Sequence, residues 1–262
     1  MSGVMRYFAV DAFTDELFRG NQAGVCLLEE WPADEVMQRI AAENNLAETA
    51  FVVKRNGFYD LRWFSPEVEI DLCGHATLAS AFVLSTFVDV GAETLRFETM
   101  SGSLTVIKKQ ELFEMDFPTR KPQPVELTQL MSQALGLPVL EAHLSRDLLL
   151  LVKSEQQVKE AAPDFELIKQ IPDCFAVVVT AEGSKADFVS RFFAPGSGIP
   201  EDPVTGSSHC SLIPFWAERL GKKQMVAQQL SARGGTLYCE DCGERVKIAG
   251  KAVLYLQGEI LL

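Results

Sequence analysis

The chain alternates between stretches of two different periods. Residues 33–44 carry Val36, Met37, Ile40 and Ala41 at helical spacing, behind the acids Asp34 and Glu35, which suit the positive end of a helix dipole. The apolar run at 49–53 then predicts a strand. Residues 127–135 predict a second amphipathic helix, closed by Gly136 with Pro138 beyond it. At the start, Tyr7-Phe8-Ala9-Val10 reads as a strand, and residues 234–262 read as a strand meander turning at Gly243, Gly250 and Gly258. The pattern is mixed α/β.

Laid against itself at an offset of 129 residues, the chain repeats. Arg62-Trp63-Phe64-Ser65-Pro66, three residues and Ile70 match Arg191-Phe192-Phe193-Ala194-Pro195, three residues and Ile199, without a gap. Three residues after each Ile stands a chemically capable side chain, Cys73 in one copy and Asp202 in the other. Each is followed by small or polar residues and then an apolar run, so both copies predict strand, loop and buried helix.

A half-length repeat predicts two similar lobes whose corresponding loops face one another, with helix N-termini there suited to hold a carboxylate. A duplication that kept no site is the competing explanation. At 262 residues the chain is long for one core. The expected division is a lobe over residues 1–117, to which the final strand is free to return, and a second lobe over 125–262. The linker between them is 118–124, where three prolines fall within seven residues.

Composition narrows the partners. A formal charge of −12 repels nucleic acid and anionic membranes on average, while a local pocket can still take an acidic small molecule. No stretch is long and apolar enough to cross a bilayer, and the first residues lack signal-peptide features, so a cytoplasmic protein is expected. Six cysteines are expected to be reduced; Cys239-Glu-Asp-Cys242 lacks the partner ligands of a zinc site and reads as a hairpin tip, with no metal expected.

Three segments carry candidate chemistry. Glu48, in Asn44-Asn45-Leu46-Ala47-Glu48-Thr49, lies between a helix end and a strand, where burial is expected to raise its pKa toward acid/base use; a carboxylate bonded to loop amides is the bland alternative. Asp71-Leu72-Cys73-Gly74-His75-Ala76-Thr77 sets a thiol and an imidazole at a helix start, whose dipole is expected to lower the thiol pKa, and Gly74 admits a ligand close to the backbone. A structural cysteine is the alternative. Glu201-Asp202-Pro203-Val204-Thr205-Gly206-Ser207-Ser208 offers acids to orient a substrate and Gly206 and Ser207 to donate to a carboxylate, or simply a helix cap with flanking acids. No dinucleotide-binding glycine pattern, P-loop or nucleophile elbow is present.

Together with Tyr7 to Phe13, Gly20-Asn21-x-Ala23-Gly24-Val25 and Arg233-Gly234-Gly235, these motifs resemble the phenazine-biosynthesis (PhzF-like) family over nearly the whole chain. The resemblance implies a diaminopimelate epimerase-like fold of two pseudo-symmetric lobes, each a sheet wrapped round a central helix. It implies a cofactor-independent isomerase acting on a small carboxylate-bearing metabolite, and a homodimer. By motif, Glu48 becomes the acid/base, with His75, Asp202 and Ser207 completing the site and Cys73, Gly74 and Gly206 beside the substrate. Epimerase relatives use a cysteine from each lobe; here the repeat offers Cys73 and Asp202, so two-thiol racemisation is not expected. The dedicated phenazine enzyme does not depend on a thiol at Cys73, which points to a broader branch with another substrate.

Two other functions compete with the isomerase. One is a non-catalytic ligand-binding or interaction protein that keeps the fold. The other is hydrolysis by a Cys73 nucleophile, ranked last because residues this close at a helix start are not expected to acquire their own orienting group.

Overall fold

The computed structural model describes residues 4–262. In chain order the first elements are β1 (Val4–Ala12), β2 (Asn21–Leu28), α1 (Asp34–Asn44), β3 (Glu48–Lys54), β4 (Tyr59–Phe64), β5 (Glu69–Ile70), α2 (Gly74–Phe87), β6 (Thr94–Thr99), β7 (Gly102–Lys109) and β8 (Leu112–Pro118). Then come β9 (Gln123–Val125), α3 (Gln129–Leu135), β10 (Glu141–Leu144), β11 (Leu148–Leu151), α4 (Glu155–Glu160), α5 (Phe165–Ile168), β12 (Val177–Glu182), β13 (Phe188–Ala194) and β14 (Ile199–Asp202). The chain ends with α6 (His209–Leu220), β15 (Gln224–Gln229), β16 (Gly235–Asp241), β17 (Arg245–Gly250) and β18 (Ala252–Leu261). One compact unit takes in the chain up to Asp116 and the segment Ala249–Leu262; the other is Phe117–Ile248.

In the first unit β2 runs parallel to β3, β3 antiparallel to β4, β4 parallel to β6 and β6 antiparallel to β7. Parallel neighbours cannot be joined by a hairpin, so each such pair needs a crossover. Helix α1 supplies the first and α2 the second. On one side of the sheet α1 buries Met37, Ile40 and Ala41 against Cys26, Phe51 and Phe64. On the other lies α2, buried from His75 through Ala81 and again at Val83, Leu84 and Ser85, which is the pattern of a helix enclosed on every side. The last strand, β18, pairs antiparallel with all of β1, from Val4↔Leu261 to Ala12↔Ala252. Gly258 therefore lies opposite Tyr7 within a strand rather than at a turn.

The second unit uses the same order of pairings: β11 parallel to β12, β12 antiparallel to β13, β13 parallel to β15, β15 antiparallel to β16. Its enclosed helix is α6, buried without interruption from His209 to Ala217. The two sequence repeats thus fall on equivalent strands, β4 and β13, each followed by a short antiparallel strand and the central helix. The repeated arginines also do one job. Arg62 donates to both oxygens of Glu69, and Arg191 to both oxygens of Glu201. That pairing assigns Glu201 to the framework.

Local chemistry accounts for the joints. Asn45, at φ 49°, ends α1 in the left-handed region, and Gly136, at φ 67°, ends α3 in the same way. Pro214 has no N–H for the carbonyl of Cys210 four residues back; Arg120 N donates to that oxygen instead, at 2.9 Å. Residues 118–124 are held against this unit too, since Thr119 N donates to Glu244 O and β9 pairs with β10. The Cys239/Cys242 segment is the β16–β17 hairpin, closed by Cys242 N donating to Arg245 O, and all six cysteines are free.

Candidate active site

Glu48 opens β3, in register with Ala23 of β2, so its position is fixed by a parallel pairing rather than by a loose loop. His75 is the second residue of α2, and Cys73 is the residue that caps it. The start of β3 and the start of α2 bring the three side chains together. His75 Nε2 lies 3.1 Å from Glu48 Oε2, and His75 Nδ1 lies 3.5 Å from Cys73 Sγ and 3.4 Å from Nδ2 of Asn21, the first residue of β2. The ring is 6% exposed, as is Cys73. Glu48 Oε2 and His75 Nε2 are both buried atoms, and at 3.1 Å they compensate one another as an ion pair.

The electrostatics reverse two expectations. Burial pushes the Glu48 carboxyl up, as anticipated, but the charge and hydrogen bond of His75 and the Cys73 thiol together outweigh it and leave the carboxyl below its ordinary value. Burial also pushes His75 down, and there Cys73 and Glu48 win, holding the imidazole well above its ordinary value. The resting pair is a carboxylate beside an imidazolium. Cys73 moves up, because burial and the Glu48 charge exceed the pull of His75; the helix-start dipole does not activate it. His75 nonetheless sits between thiol and carboxylate, one ring nitrogen toward each. An orienting group for a thiol–imidazole pair, not expected from residues so close in sequence, is thus provided by β3.

In the second unit Asp202 ends β14, and Gly206 and Ser207 lie in the loop between it and α6. The Asp202 carboxylate accepts from Thr205 Oγ1 at 2.5 Å, and Ser207 Oγ accepts from Arg146 Nη2 at 3.1 Å. Gln229 of β15, fully buried, braces the loop: its amide donates to Asp202 O and accepts from Thr205 N. His209 Nδ1 donates to Thr205 O at 2.8 Å, and burial lowers its pKa to about 4, so this imidazole is neutral.

Four residues with a place at these sites were not singled out from the sequence. Asn21 stood inside a quoted motif without a role. Trp63 stands in the repeat opposite Phe192; it is buried, its indole N–H has no hydrogen-bond partner, and it opposes Ala50, so it shares Glu48's face of the sheet. Arg146 and Gln229 come from strands and turns far away in sequence, and no local pattern marks them.

The comparisons agree on one relationship. A family model described as "Phenazine biosynthesis-like protein" (PhzC-PhzF) matches residues 10–258. An uncharacterized isomerase of Pseudomonas aeruginosa is 51% identical over 255 residues, covering 97% of this chain and 98% of that protein. The crystal structure of a PhzF-family phenazine biosynthesis protein from Enterococcus faecalis superposes with a TM-score of 0.97 at 49% identity, covering 100% of both chains. A predicted epimerase of Pseudomonas aeruginosa, 18% identical with a TM-score of 0.72 over 98% of this chain and 99% of its own, shares the fold.

Proposed function

The chain belongs to the phenazine biosynthesis-like (PhzC-PhzF) family, and from that premise we propose that it is a cofactor-independent isomerase in which Glu48 moves a proton between carbons of a small carboxylate-bearing metabolite. The observation that carries this reading is the Glu48–His75 pair, His75 buried and Glu48 partly so, whose facing oxygen and nitrogen lie 3.1 Å apart. An ionised carboxylate enclosed by protein is ready to take a proton without first losing one. The imidazolium beside it steadies the charge before transfer and, already protonated on both ring nitrogens, keeps its own protons while Glu48 carries the substrate's. Because acid and base are the same group in two states, no redox or metal chemistry enters this step. In the same reading Asp202 is catalytic, positioning the substrate or sharing the proton relay, while Gly206 and Ser207 bind the substrate with Cys73, and Gly74 gives a ligand close access to the start of α2. The protein is taken as a cytoplasmic homodimer, which light scattering would test by reading twice the chain mass.

The deciding experiment is mass spectrometry of a metabolite and amino-acid pool incubated in deuterated water with wild type and with Glu48→Gln. Deuterium gained by one compound with wild type and not with the variant supports the assignment and identifies the substrate. Exchange that persists undiminished with Glu48→Gln removes Glu48 from the mechanism. Ligand-induced thermal stabilisation without exchange into any compound replaces the isomerase by a binding protein.

A further inference from the structure

We infer that Glu48, Cys73 and His75 also form a binding site for a thiophilic divalent cation of the Zn2+ type, and that occupancy silences the proton-transfer centre. Carboxylate oxygen, thiolate sulfur and imidazole nitrogen are the three donor kinds zinc takes from proteins, and three protein ligands leave its fourth position open. The three donor atoms lie within 4.8 Å of one another. Ligand atoms around a tetrahedral zinc stand about 3.3 to 3.6 Å apart, given bonds of about 2.0 Å to nitrogen or oxygen and 2.3 Å to sulfur. His75 Nε2 and Glu48 Oε2, at 3.1 Å, already have close to that spacing, and Cys73 also hydrogen-bonds the Glu48 carboxylate. Cys73 Sγ lies 3.5 Å from the other ring nitrogen, so closing the set on Nε2 requires the thiol to turn toward the carboxylate.

One further observation points to a ligand here. Glu48 Oε2 and His75 Nε2 are buried atoms that face one another at 3.1 Å, so a cation entering between them replaces one ion pair with two metal bonds. Charge also balances. Binding forms a sulfur–metal and a nitrogen–metal bond, releases one proton from the thiol and one from the imidazolium, and leaves a divalent ion neutralised by thiolate and carboxylate. Among the described residues no other group of His, Cys, Asp and Glu side chains converges this closely, and the C-x-x-C hairpin is not one.

Cation binding stands apart from the isomerase reading; the silencing rests on it. The test uses reduced protein titrated with Co2+ alone. The expected result is a thiolate-to-cobalt absorption band that saturates at one ion per chain and is removed by Zn2+. Cys73→Ser should abolish the band, Cys242→Ser should leave it, and Glu48→Gln should keep it with affinity at least about tenfold lower. Circular dichroism establishes that each variant is folded, and the Cys242 and Glu48 variants decide the matter if Cys73→Ser is not. Absence of the band, its survival in folded Cys73→Ser, or its loss in Cys242→Ser overturns the proposal. Persistence of deuterium exchange in Glu48→Gln sinks the isomerase assignment instead, and leaves the cobalt band as it was.

Discussion

His75 Nε2 stands 3.1 Å from Glu48 Oε2, tying the first turn of the enclosed helix α2 to the first residue of β3. Because both groups titrate away from their ordinary values, this tie makes stability depend on pH in two directions. His75 is raised in the folded state, so its contribution is complete below pH 6.5 and is lost as pH rises through its higher folded pKa. Glu48 is lowered, so its contribution is complete above pH 4.5 and is lost as pH falls through its lower folded pKa. The pair is strongest between those limits. Denaturation of wild type and His75→Gln across pH should show the largest gap near pH 5 to 6, closing on the alkaline side at up to about 1.4 kcal/mol per pH unit. A gap independent of pH would mean that the two groups are not an ion pair.

Loss of the base should cost far more activity than stability. Glu48→Gln keeps the shape of the side chain, and removing a general base lowers rates by about 10²- to 10⁴-fold. His75→Gln should act differently, through Glu48. Without the imidazolium, burial raises the carboxyl against the Cys73 thiol alone, so the acidic limb of the pH–rate profile should move to higher pH. An unmoved limb, with activity merely reduced, would show that His75 does not set the ionisation of Glu48.

How far the sequence reached is clearest at the repeat. The shared Arg-x-Phe-x-Pro frame told where two equivalent strands and their following helices lie, because it marks a framework ion pair that the fold needs twice. The helices over 33–44 and 127–135 were legible from apolar period and from the Asn and Gly that end them. The signs of the titrations at Glu48 and Cys73 were not. Burial and helix polarity are local properties, but the decisive neighbour in each case is reached across 25 or more residues of chain or through the other member of the cluster. Arg146 and Gln229 were illegible for the same reason: each acts on the loop before α6 from a different strand or turn. Gly258 was misread because glycine in a strand and glycine in a turn look alike in sequence.

His209 predicts a separate acid sensitivity in the second unit. It is fully buried, its Nδ1 donates to Thr205 O, and its Nε2 has no hydrogen-bond partner, so burial lowers the pKa from 6.5 to about 4. A histidine lowered in the folded state takes up its proton more readily when unfolded, so stability is full above pH 6.5 and is lost as pH falls toward 4. The total is on the order of 3 kcal/mol, from about 1.4 kcal/mol per unit. His209→Asn should flatten urea-denaturation free energy between pH 6.5 and 4 relative to wild type. Parallel curves would show that some other group carries the acid limb.

The loop leading into Asn21 rests on Gly20, and two glycine substitutions separate the reasons why. Gly20 has φ 67°, and a Cβ there would lie 2.2 Å from the carbonyl oxygen of Ala12 and 2.7 Å from Thr14 Cγ2. Gly57 has φ 85° with nothing within 4 Å of the same added atom. Gly57→Ala therefore tests the left-handed backbone alone, at about 1 to 2 kcal/mol. Gly20→Ala adds a collision with backbone that has no flexible end to yield, and its cost should exceed that of Gly57→Ala by about 2 kcal/mol or more. The displacement should also reach the site, because Asn21 is the next residue and lies against His75 Nδ1 at 3.4 Å. In thermal melts Gly20→Ala should be the less stable variant, and histidine NMR should show the His75 ring resonances shifted in it and unchanged in Gly57→Ala. Equal stability of the two variants would mean that the β1–β2 loop relaxes around the new methyl group, and that Asn21 is held by its pairing with Ala12 rather than by the turn before it.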